Sequence, residues 1–144
     1  MIRQRFILEK YDWEVMVYYS VDDYYTDEIM CSLYDIGCRG DNLQTAYNNL
    51  SSGQLDTGLT YSNYQSRQTV MVIGMTSSPE QFINSFEHET FHLKQHIAKA
   101  FDLDVWGEEI AYLSGDIAQN MFHKVKLFIC ECGKNKVKHL IEKR

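Results

Sequence analysis

The chain has 144 residues, of which 44% are hydrophobic and 24% are charged, and it contains a single proline. This composition excludes a disordered chain and predicts one compact domain over residues 1–144, with a core that needs no disulfides. Because the net charge is −6, a nucleic-acid-binding role, which requires clustered lysine and arginine, is not expected. The lysine-rich stretch from Lys134 to Arg144 is better explained as the solvent-facing part of a final helix.

No segment predicts export or membrane insertion. The apolar run from Phe6 to Leu8 is too short for a signal peptide, and no run approaches the roughly 18 residues of a membrane span. A cytoplasmic, reducing location is therefore expected, with the four cysteines as free thiols. Cys130 and Cys132 suggest a metal site, but their spacing from Cys31 and Cys38 matches no common zinc ribbon.

The first part of the chain predicts a hairpin followed by two helices. Strands from Phe6 to Leu8 and from Trp13 to Val21 flank a turn-like segment, and the second strand alternates so that one face is apolar. A first helix begins at Thr26 and ends at Gly37, and a second lies between Asp41 and Gly53. The residues predicted on the apolar face of the second strand are Trp13, Val15, Val17, Tyr19 and Val21.

The second part predicts another hairpin and two long helices. Strands run from Leu59 to Tyr64 and from Gln68 to Met75. The sequence Ser77-Ser78-Pro79-Glu80 is a strong helix start, because it combines a capping hydroxyl with proline in the first turn. That helix ends near Asp102, and the last one opens between Asp104 and Gly107. The expected fold is α+β: a mixed or antiparallel sheet of about four strands packed against helices.

The segment His88-Glu89-Thr90-Phe91-His92 has the pattern HExxH. On a helix, His88 and His92 lie on one face, one turn apart, and together can bind a zinc ion. Glu89 lies about 100° around the helix from His88 and is the candidate general base for a metal-bound water. The pattern thus supplies two metal ligands and one base of a hydrolytic site.

A third histidine, His96, follows at the same spacing but is not expected to be a ligand. Successive histidines rise by about 6 Å each, so three cannot converge on one tetrahedral ion from a straight helix. His96 is interpreted as a half-buried histidine. The alternatives are that it contacts the metal ligands without binding the metal itself, or that it lines the substrate cleft. The metzincin pattern would place glycine and histidine where this chain has Gln95 and Ala98, so that class is excluded.

The remaining ligand is expected to be a carboxylate on the following helix, where Glu108 and Glu109 are adjacent candidates. Here the chain resembles the gluzincins, the thermolysin-like zinc peptidases, in which a glutamate on the next helix completes the HExxH site. Their Glu-x-x-Ala signature matches Glu108 followed by Ala111, which implies Glu108 as the ligand. The small residues Ala111 and Gly115 share the Glu108 face and would let the two helices approach closely.

The resemblance covers roughly residues 68 to 122 and implies a minimal single-domain zinc metallopeptidase acting on a peptide or protein. Glu89 would be the general base, and Tyr112 or His123 could donate to the developing oxyanion. Neither role follows from a motif match, and core packing is the favoured interpretation of Tyr112. The strand from Val70 to Ile73 directly precedes the HExxH helix. In the resembling peptidases a sheet edge lies beside the cleft and binds extended peptide.

Two other interpretations stay open from the sequence. A non-catalytic module could keep the peptidase scaffold and its metal while binding a partner through an aromatic surface that includes ten tyrosines. Alternatively, the HExxH pattern is accidental and its histidines are structural. Oligomeric state, substrate and cleavage specificity do not follow from the sequence.

Overall fold

The computed structural model describes residues 1–129. It is an α+β fold with a four-stranded mixed sheet packed against four helices, as expected from the sequence. Cys130, Cys132 and the lysine-rich segment from Lys134 to Arg144 lie outside the described residues. The elements in chain order are β1 (Ile2–Leu8), β2 (Trp13–Val21), α1 (Thr26–Asp35), α2 (Gly40–Ser52), β3 (Gly58–Asn63), β4 (Gln68–Gly74), α3 (Pro79–Phe101) and α4 (Glu108–Ile129).

The strands are arranged in the order β1-β2-β4-β3, which makes β3 an edge strand and places β4 inside the sheet. The β1–β2 and β3–β4 pairs are antiparallel, and β2–β4 is parallel. The strand that precedes the HExxH helix, β4 with Val70 to Ile73, is therefore covered on both sides by neighbouring strands. The sheet edge nearest to this helix is β3 instead, because Thr60 of β3 contacts Glu89 of α3.

Helices cover both faces of the sheet and form two separate cores. One core joins Trp13, Val15 and Met71 to residues of α3 and α4, and the other joins Val70 and Val72 to residues of α1 and α2. Because helices cover both faces of the sheet, both faces of β2 carry buried side chains, whereas the sequence predicted only one apolar face. Within the described residues, no helix has the length and apolar character needed to cross a bilayer.

The prediction that Val21 lies on the same face as Trp13 and Tyr19 is wrong. The pairing of β2 with β4 shifts between Tyr18 and Val21, and Ser20 adopts a φ of 59°. This irregularity turns the end of the strand over. As a result Val21 packs in the core under α1 and α2, while Tyr19 packs in the core under α3 and α4.

Helix α3 begins and ends as its sequence predicts. Ser78 accepts a hydrogen bond from the Gln81 main-chain N–H at 3.1 Å, Pro79 follows in the first turn, and Asp102 ends the helix in the left-handed conformation. The residues that turn inward include Phe82, Leu93 and Ile97, all almost fully buried. Hydrophobic contact on this face fixes the rotation of the helix over the sheet and therefore the direction of its polar side chains.

Gly58 opens β3 at a position where only glycine fits. Its φ is +154°, and a Cβ there would lie 1.7 Å from the main-chain oxygen of Val72 and 3.2 Å from Cγ of Glu89. The absence of a side chain thus lets β3 approach β4 and leaves space for Glu89 between the strand and α3.

We predict that Gly58→Ala lowers the free energy of unfolding by at least about 2 kcal/mol, because the new methyl group forces strand and helix apart. Gly115→Ala is the matched control: its Cβ meets nothing within 4 Å on α4, and it is expected to stabilise by about 0.5–1 kcal/mol. Urea unfolding followed by circular dichroism measures both. An unchanged midpoint for Gly58→Ala would contradict the close approach.

Candidate metal centre

The two histidines of the HExxH segment lie next to each other on the surface of α3. Their Nε2 atoms are 3.2 Å apart, and the rings meet edge to face with centroids 4.9 Å apart. His88 is exposed and His92 is partly exposed. The sequence therefore predicted correctly that α3 brings these two side chains together.

The separation of the two nitrogens suits a shared metal ion. Zinc–nitrogen bonds of about 2.0–2.1 Å at a tetrahedral angle place two imidazole nitrogens about 3.3–3.4 Å apart. The Nε2 atoms of His88 and His92 are within a few tenths of an ångström of that spacing. The same distance is also that of a hydrogen bond in which one neutral ring donates to the other. The distance between the two Nε2 atoms therefore fits either a shared metal ion or a direct hydrogen bond between the rings.

The structure does not bring Glu108 to the histidine pair. Among residues 1–129, no group of three His, Cys, Asp or Glu side chains is placed to hold a metal ion. Only six residues connect Phe101, the end of α3, to Glu108, the first residue of α4. His92 lies nine residues before Phe101, which is about 13 Å along the helix. The short connection therefore keeps Glu108 near the C-terminal end of α3, away from His92.

Glu109, the other candidate ligand, is bound to the turn between β1 and β2. Its Oε1 accepts a hydrogen bond from the Tyr11 hydroxyl at 3.1 Å and lies 3.2 Å from Nζ of Lys10. Lys10 and then Tyr11 lower the pKa of the Glu109 carboxyl, because both stabilise its charged form. This side chain is therefore engaged at the hairpin, away from the histidine pair.

The position of α4 explains why its candidate residues stay apart from the histidine pair, His88 and His92. A small cavity between the helices is lined by Thr90 and Lys94 of α3 and Ser114 of α4. Thr90 and Lys94 each follow a histidine of the pair by two residues, which is about 200° around the helix. Helix α4 thus packs almost opposite His88 and His92. Tyr112 and His123, the candidate oxyanion donors, are exposed side chains of this same helix, so the prediction that Tyr112 packs in the core is wrong.

Glu89 is buried, with 2% of its surface exposed. Oε2 accepts a hydrogen bond from the Thr57 hydroxyl at 2.6 Å, and Oε1 accepts one from the Thr60 hydroxyl at 2.9 Å. The Thr60 hydroxyl also lies 3.3 Å from the main-chain oxygen of Glu89. Both carboxylate oxygens are therefore occupied by hydroxyls at the start of the edge strand and are closed off from solvent.

His96 is half-buried, as the sequence suggested, and it also lines a cleft beside β3. Its Nδ1 lies 2.7 Å from Oγ of Ser62, and its ring contacts Tyr64. Burial is the main cause that lowers the pKa of this imidazole, and the neighbouring His92 and Lys99 lower it further. Neutral His96 is consequently favoured.

Sequence reasoning missed the polar contacts that β3 makes with α3. Thr60 and Ser62 alternate along the strand with Leu59 and Tyr61, which lie against the other core. This alternation is a signal for one polar face on the strand. It does not identify the partner of that face, because the partner depends on how α3 docks.

Comparison of the chain with models of protein families, with curated proteins and with solved structures gives no match. The resemblance to the gluzincins therefore rests on the HExxH segment and the Glu-x-x-Ala signature alone.

We predict that Thr60→Val lowers the free energy of unfolding by about 1.5–3 kcal/mol, because it removes a hydrogen bond to a buried carboxylate while conserving volume. Thr76→Val, outside this group, is expected to change it by less than about 0.5 kcal/mol. Chemical unfolding of both variants makes the comparison. Equal midpoints for the two variants would show that the Thr60 hydroxyl does not hold Glu89.

Proposed function

We propose that this protein is a zinc-dependent metallopeptidase whose metal is bound by His88 and His92. The observation that carries the proposal is the 3.2 Å separation of their Nε2 atoms on one face of α3, within an HExxH segment. A polypeptide is the proposed substrate. A bound zinc would supply a polarised water and a Lewis acid for the scissile carbonyl.

Glu89 is the proposed general base, since it is the carboxylate adjacent to the ligands in this pattern. To act as a base, the Glu89 carboxylate must give up its hydrogen bonds to the hydroxyls of Thr57 and Thr60 and contact water and substrate instead. Catalytic contacts commonly form only in the substrate complex, so the enclosed arrangement is taken as the resting one. Glu108 is proposed as third ligand from the resemblance alone, and its binding would require α4 to move relative to α3.

Metal analysis with three variants tests this function. The wild type purified without chelator is expected to contain about one zinc per chain. His88→Ala or His92→Ala should lose most of it, because each removes one of the two imidazole ligands. Glu89→Gln should keep the zinc and lose peptide hydrolysis by a factor of about 10²–10⁴, the usual contribution of a general base. Gln119→Ala, at an exposed position of α4, is the control and should change neither.

Wild-type protein without zinc would contradict the proposal. So would His88→Ala protein whose melting temperature still rises with added zinc to the same extent as that of the wild type. In that case the two imidazoles form a structural hydrogen bond, and the HExxH pattern is accidental.

A non-catalytic, peptidase-like interaction module is the second candidate, and the enclosed state of Glu89 favours it. A module of this kind would keep the metal and bind a partner through exposed aromatic side chains such as Trp106 and Tyr112, which are 93% and 68% exposed. Zinc-loaded wild type that cleaves no member of a broad peptide library would support this candidate over the enzyme.

We also propose that the protein works in the cytoplasm, without nucleic acid or membrane as partner. Within residues 1–129, Cys31 and Cys38 form no disulfide, which agrees with the reduced thiols of such a compartment.

A further inference from the structure

The turn between α3 and α4, residues 104–107, carries the most exposed large hydrophobic side chain in the described part of the chain. Trp106 is 93% exposed, and the preceding Val105 is 64% exposed. Tryptophan is highly buried on average in folded proteins. An indole with so little contact to its own chain therefore marks a surface that binds another molecule.

Hydrogen bonds hold this turn in one shape. Oδ1 of Asp104 accepts from the main-chain N–H of Trp106 at 3.0 Å, and the main-chain oxygen of Asp104 accepts from the N–H of Gly107 at 3.0 Å. The N–H of Leu103 donates to the main-chain oxygen of Ala98 at 2.9 Å, which ties the turn to the end of α3. Because the backbone is already ordered, presenting Trp106 to another surface costs little conformational entropy.

A cleft of about 800 Å³ lies beside the turn, between the C-terminal half of α3 and the start of α4. Val105 of the turn is part of its lining. Because Trp106 is almost fully exposed, the indole does not fill the cleft of its own chain. The apolar residues that line this interhelix cleft are Phe91, Ala98, Leu103, Val105, Ile110 and Ala111.

The turn and the interhelix cleft carry opposite charges. Asp104 and Glu108, which are both exposed, lie on either side of Trp106 in the chain. Lys94 and Lys99 line the cleft, and Asp102 is the acidic residue among the lining residues. An acidic turn and a cleft with two lysines and one aspartate attract each other when they belong to different molecules.

A second copy of this chain has both features. In a two-fold dimer both subunits use the same patch, so each contact forms twice. The turn and the cleft share one face of the molecule, because Val105 belongs to both. Trp106 of each copy can therefore enter the cleft of the other, whereas a turn and a cleft on opposite faces would give an open chain of copies.

We propose that two copies of this chain form a two-fold dimer in which Trp106 of each copy inserts into the interhelix cleft of the other. The acidic residues of the turn then lie near the lysines of the cleft. The same acids disfavour an anionic membrane surface as the occupant, because such a surface attracts lysine and arginine.

The dimer is expected to be weak. Two indoles that bury about 150–250 Å² each give an interface at the small end of the specific range. A dissociation constant in the micromolar range is therefore expected. Dimerisation goes beyond the proposed function and needs no bound zinc.

Sedimentation velocity of the metal-free full-length chain over a range of concentrations tests the dimer. The wild type should change from monomer to dimer as its concentration rises. Trp106→Ala should raise the dissociation constant at least about 100-fold, because a central aromatic is commonly worth tenfold or more and the interface contains it twice. Tyr47→Ala, at a position of α2 that is 45% exposed, is the matched control and should leave the dissociation constant unchanged.

Ala111→Trp tests the cleft independently of the indole. Ala111 is exposed and lines the cleft, so a larger side chain there fills the space without disturbing the core. This variant should also raise the dissociation constant at least about 100-fold, because it blocks both insertions.

Tryptophan fluorescence reports whether the indole is inserted. The chain contains two tryptophans, and Trp13 is fully buried, so acrylamide quenches Trp106 selectively. As the dimer forms, quenching should fall and the emission should move to shorter wavelengths.

Charge reversal tests the two-fold arrangement. Nζ of Lys94 lies 5.2 Å from the ring centroid of Phe91 in the cleft wall, whereas Nζ of Lys99 lies over the ring of Tyr64, so Lys94 is the lysine to reverse. Lys94→Glu and Glu108→Lys should each weaken self-association by about tenfold at low salt. An equimolar mixture of the two should form a heterodimer of about wild-type affinity, because each turn then meets a cleft of opposite charge.

A chain that stays monomeric at every concentration would overturn the proposal, as would a dimer whose dissociation constant is unchanged by Trp106→Ala or Ala111→Trp. Protection of Trp106 from acrylamide in the monomer would also contradict it, because another part of the same chain would then cover the indole. So would protection that appears only with zwitterionic lipid vesicles, which would assign the turn to a membrane surface. A mixture of the charge-reversal variants that associates no better than either alone would exclude the two-fold arrangement.

Discussion

The hydrogen bonds between the buried Glu89 carboxylate and two threonine hydroxyls of the β3 region are the contact on which the arrangement of the HExxH helix depends. A buried carboxylate without donors would be costly, so Glu89 must face Thr57 and Thr60 once α3 packs on the sheet. Gly58 makes this contact possible by leaving space for the side chain. The rotation of α3 is thereby fixed by polar as well as hydrophobic contacts.

Once that rotation is fixed, helical geometry distributes the other side chains of α3. Residues such as Leu93 and Ile97 enter the core, and Thr90 and Lys94 meet α4. His88 and His92 then lie on the remaining face, close together and open to solvent. The separation of the histidine pair from Glu108 follows from the same geometry, because α4 packs almost opposite His88 and His92. An accessible histidine pair and an enclosed carboxylate thus have one structural origin.

Local signals in the sequence predicted the elements well. Ser78 and Pro79 marked the start of α3, Gly53 marked the end of α2, and the alternating residues of β2 identified a strand. The closeness of His88 and His92 was also predictable, because it depends only on the four-residue spacing within one helix.

Features that depend on tertiary docking were not predictable from local patterns. The interior position of β4 depends on a parallel pairing with β2, a strand more than forty residues earlier in the chain. Val21 was assigned to the wrong face because nothing in the sequence marks the irregularity at Ser20. The residue with positive φ there is a serine and not a glycine. The preference for Glu108 as ligand assumed that a small-residue face of α4 approaches the histidines, whereas α4 packs on another side of α3. Composition and spacing alone do not show which face of α4 packs against α3, because a shift of one residue along the helix already changes that face.

The coordination of zinc by the two imidazoles is the central claim, and X-ray absorption at the zinc edge of the loaded protein tests it most directly. The account predicts two imidazole nitrogens at about 2.0–2.1 Å, with oxygen atoms completing the shell. A shell dominated by sulfur at about 2.3 Å, or one without imidazole scattering, would contradict it, because the metal would then be held by residues other than His88 and His92.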